Sequence, residues 1–281
     1  MELQAEIIKF IQSFNTPILD AFFIAITNLG SSVFYYLMIP VFYWSVNKKA
    51  GITLTASLLC SMYINVTIKE IVALARPIGY PGIRSLFVIS AGGFSFPSGH
   101  AQGISTFWGV VMRWYHSRRV YGLGTAVIIL VSLSRLYLGV HWPIDVLAGI
   151  FLGLAISSIF ILVSREYRQI PLIPNAIISI IIPITLVCIF SHKDNFVYMG
   201  MLSGSLLGYI FEEHFIGFEP ENKGRFKAVM KYLIGIIGFL LMYVGLKSIL
   251  PPYNVYHMLR YFIIGLWLTF GAPILFRWLD L

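Results

Sequence analysis

The sequence predicts an all-α protein, a polytopic bundle of transmembrane helices. Of its 281 residues, 58% are hydrophobic and only 11% are charged, whereas soluble domains carry about 25% charged residues. Mean hydropathy is +0.82. The apolar residues come in long runs separated by short loops in which Lys and Arg concentrate. That pattern sets membrane orientation. The net charge of +8 therefore implies no nucleic-acid partner, because the chain has no basic tail or patterned basic helix. Cys60 and Cys188 each lie inside an apolar run, with neither a disulfide framework nor a metal-binding spacing.

Residues 1–17 place Leu3, Ile7, Ile8, Phe10, Ile11 and Phe14 on one helical face, without the basic start or cleavage site of a signal peptide. An interfacial amphipathic helix is expected there. Nine apolar segments follow, at roughly 18–45, 50–72, 101–116, 120–138, 143–164, 174–191, 196–211, 228–248 and 258–277. The third and seventh are shorter than the ~20 residues of a full crossing. Basic residues at 47–49, 113–119, 165–168 and 223–231 fall on one side, predicted to be cytoplasmic. The loops 73–100, 138–142, 192–195 and 249–257 then face outward, with the N-terminus outside and the C-terminus inside. The long 73–100 loop carries Leu86, Phe87, Val88, Ile89 and Phe94 and is expected to fold back onto the membrane surface.

Polar residues gather at the outer ends of these segments. Lys69 closes the second, and Arg76 follows seven residues later. Ser98, Gly99 and His100 open the third, Arg135 ends the fourth, His141 lies in a short loop, and Asp145 starts the fifth. Charged residues at membrane depth are costly and mark partners or tasks. His141 and Asp145 are spaced i,i+4 and share one face of a helical turn. Asp145 can then hold one imidazole nitrogen and leave the other free to attack. His100 sits at a helix start, where its cationic form is disfavoured unless an anion compensates. Lys69, Arg76 and Arg135 supply donors for phosphate oxygens. The Ser98 hydroxyl and the backbone N–H groups near Gly99 complete an anion cradle at a helix N-terminus. Gly99 lets the chain approach that anion without a Cβ.

Three stretches together resemble a known family. They are KEIVALARP at 69–77, PSGH at 97–100 and SRLYLGVHWPID at 134–145. The set is similar to the signature of the type 2 phosphatidic acid phosphatase superfamily, whose fold is shared with vanadium haloperoxidases and bacterial non-specific acid phosphatases. The resemblance covers about 20–165. It implies that Lys69, Arg76, Ser98, Gly99 and Arg135 hold the phosphoryl oxygens. It further implies that His141 is the nucleophile and forms a phosphohistidine, that Asp145 orients it, and that His100 protonates the leaving oxygen and then assists water. No metal or other cofactor is implied. A single nearby carboxylate is also a poor ligand set for Mg²⁺.

The expected organisation is an interfacial helix over 1–17, a catalytic membrane core over 18–165 with the phosphatidic acid phosphatase/haloperoxidase-like fold, and additional C-terminal transmembrane helices over 166–281. The expected activity is metal-independent dephosphorylation of a membrane lipid phosphate or pyrophosphate at the extracytoplasmic face of a bacterial inner or plasma membrane. Alternatives are a lipid-phosphate phosphotransferase and a non-enzymatic lipid-phosphate transporter or scaffold. Candidate substrates are phosphatidate, phosphatidylglycerol phosphate, a sphingoid-base phosphate, a prenyl pyrophosphate and lipid A, all with a terminal phosphate. Phe94, Phe96, Trp108 and Trp142 are candidates to line a path for the lipid tail, although aromatic side chains also anchor at membrane interfaces. In the C-terminal part, Gly200, Gly204 and Gly208 have the spacing of close helix packing. Glu212, Glu213, His214 and Glu219 read as an ordinary polar loop rather than a metal site.

Overall fold

The computed structural model describes residues 1–166, 171–220 and 224–281, and those residues are helical with connecting loops. The helices are α1 (Glu2–Gln12), α2 (Pro17–Thr27), α3 (Ser32–Val41), α4 (Lys48–Val72), α5 (Gly99–Tyr115), α6 (Arg118–Tyr137), α7 (Pro143–Glu166), α8 (Leu172–Ile189), α9 (Lys193–Phe211), α10 (Arg225–Ile249), α11 (Asn254–Leu266) and α12 (Ala272–Trp278). Among the described residues six helical segments are long and apolar enough to cross a membrane: 48–72, 118–137, 143–164, 172–189, 225–249 and 254–278. Residues 167 and 168 of the basic loop used for orientation, and Lys223, lie outside the described residues.

The segment expected to run unbroken over 18–45 is two helices. Asn28–Gly30 forms a 3₁₀ turn between α2 and α3, and a π-helical turn follows over Phe42–Val46. Polar side chains make the break affordable in backbone hydrogen bonds. Asn28 Nδ2 donates to Ile24 O at 2.7 Å, and Ser31 Oγ donates to Asn28 O at 2.7 Å. Upstream, Thr16 caps α2 by accepting from Leu19 N at 3.2 Å, and Pro17 occupies the first turn. The chain bends by 116° between α1 and α2.

The helices α5 and α9 occur where apolar segments were read, but neither is among the six. Both are inner helices. Gln102, Ser105 and Thr106 of α5, and Asn195, Ser203 and Ser205 of α9, are buried polar groups. A helix surrounded by other helices needs no lipid-compatible surface, so its mean apolarity falls. The contrast is α10, with 11% of its most apolar window buried.

The chain divides into two compact units, one of residues 1–35 and 64–161 and one of residues 36–63 and 162–281. In the first, α5 packs on α6, and its core joins Ile104, Met112, Ile128 and Val131. Two glycines bring α7 onto α5. A Cβ on Gly149 would lie 2.7 Å from Ser98 O, and one on Gly153 would lie 2.4 Å from Gln102 O.

In the second unit α9 and α11 run side by side in the same direction. A Cβ added at Gly200 would meet Met258 O at 2.3 Å, and one at Gly204 would meet Phe262 O at 2.0 Å. A Cβ on Gly265 would reach Met201 O at 2.5 Å. This is backbone-to-backbone packing at small residues. Trp44 Nε1 donates to Leu268 O at 2.8 Å, and Tyr43 Oη donates to Thr269 O at 3.1 Å, pinning the π-helical turn Trp267–Gly271. Gly204→Leu should therefore force α9 and α11 apart, at a cost of at least about 1–3 kcal/mol. The expected readout is a thermal midpoint several degrees lower in detergent; an unchanged midpoint contradicts the close packing.

Candidate active site

The polar residues of the three signature stretches all lie in the first unit, where five pieces of chain converge. These are the end of α4 (Lys69), the loop 73–98 (Arg76), the start of α5 (Ser98, Gly99, His100), the end of α6 (Arg135), and the α6–α7 turn with the first turn of α7 (His141, Asp145). The loop is fastened at several points. Ile83 packs with Ala5, Ile8 and Trp142, while Ala91 packs with Phe23, Tyr137, Leu138 and Val140. Gln12 Nε2 donates to Arg84 O and Tyr137 O at 2.7 and 2.8 Å, and Arg84 N returns a bond to Gln12 Oε1 at 2.9 Å. The α6–α7 turn requires Gly139. Its φ is +65°, and a Cβ there would meet Arg84 O at 2.1 Å.

The PSGH turn is tied to the other signatures by backbone. Ser98 N donates to Asp145 O at 2.9 Å. Ser95 N donates to Leu74 O at 2.8 Å, two residues before Arg76. Ser98 caps α5, its Oγ accepting from Ala101 N at 3.5 Å. Asn65, a buried amide within α4, donates to Pro97 O at 3.2 Å and to Gln102 Oε1 at 2.8 Å. Gly99 faces that amide, and a Cβ on it would lie 3.3 Å from Asn65 Oδ1. The expected use of the Ser98 N–H in the anion cradle is thus not available, since Asp145 O already accepts it. The backbone donors that remain at this turn are the N–H groups of Gly99 and His100, since the opening N–H groups of a helix lack intrahelical partners.

The three cations are held largely by oxygens other than carboxylates. Lys69 Nζ donates to Phe94 O at 2.6 Å and Ser95 O at 3.3 Å. Arg76 donates to the carbonyls of Gly93, Gly92, Phe94 and Val140 at 2.9, 2.7, 3.1 and 2.8 Å. Arg135 is wholly buried. It donates to Thr27 Oγ1 at 2.7 Å, Ser90 Oγ at 3.1 Å and Ser90 O at 3.3 Å, and its Nε is buried without a partner. Burial lowers the Arg76 guanidinium to about 10, which leaves it cationic at neutral pH.

The contacts of His141 fix its tautomer. Arg76 Nη1 lies 3.0 Å from His141 Nε2, and a guanidinium only donates. Nε2 therefore carries the lone pair and Nδ1 the proton. Nδ1 lies 3.4 Å from Asp145 Oδ2 and 3.4 Å from Ser95 Oγ. The expected His141–Asp145 pairing is present, but the shorter bonds to Asp145 Oδ2 come from Ser95 Oγ at 2.5 Å and Trp142 N at 2.7 Å. Asp145 Oδ1 is buried and unpartnered. Burial first, and the charges of Arg135, Arg76 and Lys69 second, push His141 well below its ordinary value of 6.5, so the imidazole is neutral at physiological pH. His100 is half-buried against Gly30, where an added Cβ would sit 3.2 Å from its ring.

Sequence reading missed Ser95, Thr27, Ser90, Asn65 and Gln102. Asn65 and Thr27 carried a usable signal, as polar side chains inside apolar runs; the two serines carried none. Of the candidate tail-lining residues, Phe94 is exposed and Phe96 half-buried. Trp108 packs into the α5–α6 core, and Trp142 is buried with its Nε1 donating to Ala75 O at 2.9 Å. In the second unit, Glu212, Glu213 and Glu219 meet one ammonium, with Lys48 Nζ at 3.1, 2.6 and 3.7 Å. Among the described residues no group of three or more His, Cys, Asp or Glu side chains is arranged to hold a metal ion.

The chain matches the family model of the PAP2 superfamily over residues 50–169, which contains all three signatures. Residues 196–281 match a second model, PAP2 superfamily phosphatase, transmembrane extension. An undecaprenyl-diphosphatase of Sulfolobus acidocaldarius is 32% identical over 156 residues, 54% of this chain and 74% of that protein. The phosphatidylglycerophosphatase B of Bacillus subtilis is 28% identical over 49% of this chain and 71% of its own length. Sphingosine-1-phosphate phosphatase 1 of Mus musculus is 33% identical over 48% of this chain, but the match spans only 32% of the mouse protein. Among solved structures, LpxE of Aquifex aeolicus superposes with a TM-score of 0.53 at 24% identity, covering 57% of this chain and 94% of that one, and is a likeness of fold alone. The transmembrane PAP2 type phosphatidylglycerolphosphate phosphatase of Bacillus subtilis gives a TM-score of 0.53 at 25% identity, covering 60% and 88%. A family match that runs through Lys69, His100, His141 and Asp145, with a relative covered over most of its length, establishes that the chain belongs to the PAP2 superfamily and is a membrane lipid phosphatase.

Proposed function

We propose that the protein hydrolyses the terminal phosphate of a membrane lipid phosphate or pyrophosphate through a phosphohistidine at His141, without a metal ion. The observation that carries this reading is the tautomer. Nε2 of a neutral, buried imidazole presents its lone pair beside Arg76, with Lys69 and Arg135 in the same unit. Nε2 attacks phosphorus and the bond from phosphorus to the lipid oxygen breaks. His100 gives its proton to that oxygen, which leaves as the lipid alcohol, or as the lipid monophosphate when the substrate is a pyrophosphate. Water then attacks the phosphohistidine, His100 takes its proton, and phosphate departs.

The phosphoryl oxygens replace the loop carbonyls as acceptors for Lys69 and Arg76, and they take the free Nε of Arg135. Positioning and charge stabilisation do most of the work in such transfers. A divalent cation would meet three cations and one carboxylate there, an unfavourable balance. The relatives' names share one chemistry, an amphiphile ending in a phosphate, and that class is the proposed substrate. The charge distribution of α6 supports an extracytoplasmic site. Arg118 and Arg119 start the helix and Arg135 ends it, about 25 Å away. If the basic end is cytoplasmic, the site faces outward.

Purified protein should release phosphate from undecaprenyl pyrophosphate, phosphatidylglycerol phosphate or sphingosine phosphate with EDTA present, and His141→Ala should lower the rate at least ~1,000-fold. Full activity of that variant, or loss of wild-type activity on chelation, would sink this mechanism. The pH profile gives a separate check. Because His141 stays neutral below 6.5, the acid limb of kcat/KM due to the nucleophile should lie below that pH. A limb at or above it contradicts the buried, cation-flanked imidazole.

A further inference from the structure

We infer that Ser95 is a positioning residue of the nucleophile, joining substrate binding to the His141–Asp145 pair; the inference rests on reading His141 as that nucleophile. Ser95 is fully buried. Its hydroxyl lies 2.5 Å from Asp145 Oδ2 and 3.4 Å from His141 Nδ1. An ionised carboxylate only accepts, so the Ser95 proton belongs to Asp145, and the Ser95 oxygen is left to accept from Nδ1–H. His141 Nδ1–H thus faces two acceptors at the same 3.4 Å, Ser95 Oγ and Asp145 Oδ2, and is bonded tightly to neither. With Trp142 N also on Oδ2 at 2.7 Å, the carboxylate is locked from two sides by groups other than the histidine.

The backbone of the same residue is part of the cation network. Ser95 O accepts from Lys69 Nζ at 3.3 Å, and the neighbouring Phe94 O accepts from Lys69 at 2.6 Å and Arg76 at 3.1 Å. When a phosphate draws Lys69 and Arg76 away, these carbonyls lose their donors and the 92–95 segment is freed to shift. Ser95 is the point at which that shift reaches the nucleophile. Closing the 3.4 Å gaps to ordinary hydrogen-bond length would hold Nδ1–H as positive charge develops on the ring during attack. Substrate binding thus acts through Ser95 to tighten the hold on His141 Nδ1–H.

The groups whose charges face His141 are Lys69 of α4, Arg76 of the loop, His100 of α5, Arg135 of α6 and Asp145 of α7. All but Asp145 oppose protonation of the ring. The Ser95 hydroxyl takes up part of the carboxylate's charge, so its removal leaves Asp145 a stronger partner for a protonated His141.

Ser95→Ala in the full-length protein tests this, with phosphate release from a lipid phosphate in detergent followed from acid to neutral pH. The expected result is a kcat lower by about tenfold or more, a KM within about twofold of wild type, and an acid limb of kcat/KM moved to higher pH. Ser95→Thr, which keeps the hydroxyl, should restore the wild-type limb. A purely structural role would instead lower kcat and the thermal midpoint together and leave the limb in place, and that result overturns the inference. So does an Ala variant with unchanged kcat and profile. If His141→Ala is inactive while Ser95→Ala behaves like wild type, only the role of Ser95 falls; if His141→Ala is active, the nucleophile assignment falls first.

Discussion

Three cationic side chains and two histidines are gathered around a single carboxylate, Asp145, in largely buried surroundings. Like charges at this density repel strongly where water cannot screen them. The surrounding fold answers that constraint with neutral oxygens. Arg76 draws on four backbone carbonyls and Lys69 on two, while Arg135 uses a threonine and a serine. The loop 73–98 must therefore turn its carbonyls inward over residues 92–95, where Gly92 and Gly93 impose no side chain and Gly93 has a φ of +64°. Acceptors of this kind can be exchanged. A phosphate dianion outcompetes a peptide carbonyl for a guanidinium, so under the proposed function these same acceptors yield to the substrate.

The rest of the first unit keeps these groups in register. The backbone bonds from Ser98 to Asp145, from Ser95 to Leu74 and from Leu86 to Leu138 join segments far apart in sequence. The approach of α7 to α5 depends on Gly149 and Gly153, and the turn that presents His141 depends on Gly139. None of these residues carries out chemistry. Together they determine where Nε2 of His141 lies relative to Arg76, and positioning at this precision is worth several orders of magnitude in rate.

The sequence made the charged part of the site legible because charged residues at membrane depth are rare and their spacing is regular. Lys69, Arg76, Arg135, His141 and Asp145 stood out for that reason, and each lies where its spacing placed it, in one unit. Ser95 did not stand out, since a serine in a loop between two phenylalanines carries no signal of its own and its importance comes from a contact fifty positions away. Apolarity also misjudged some helices. The buried α5 and α9 lie where apolar segments were read, yet their Ser, Thr, Gln and Asn side chains leave them outside the six long apolar helices. The run 18–45 was apolar enough to hide the break that Asn28, Gly30 and Ser31 create. Hydropathy registers what faces lipid, whereas this site is built from what does not.

The central claim is that His141 carries the phosphoryl group during turnover. Rapid quenching of the purified enzyme with a radiolabelled lipid phosphate, followed by peptide mapping, tests it most directly. The account predicts an acid-labile, alkali-stable label on the peptide containing His141, formed and lost at rates consistent with turnover. Phosphate release in a single turnover with no label on the protein, or with the label on another residue, would contradict it.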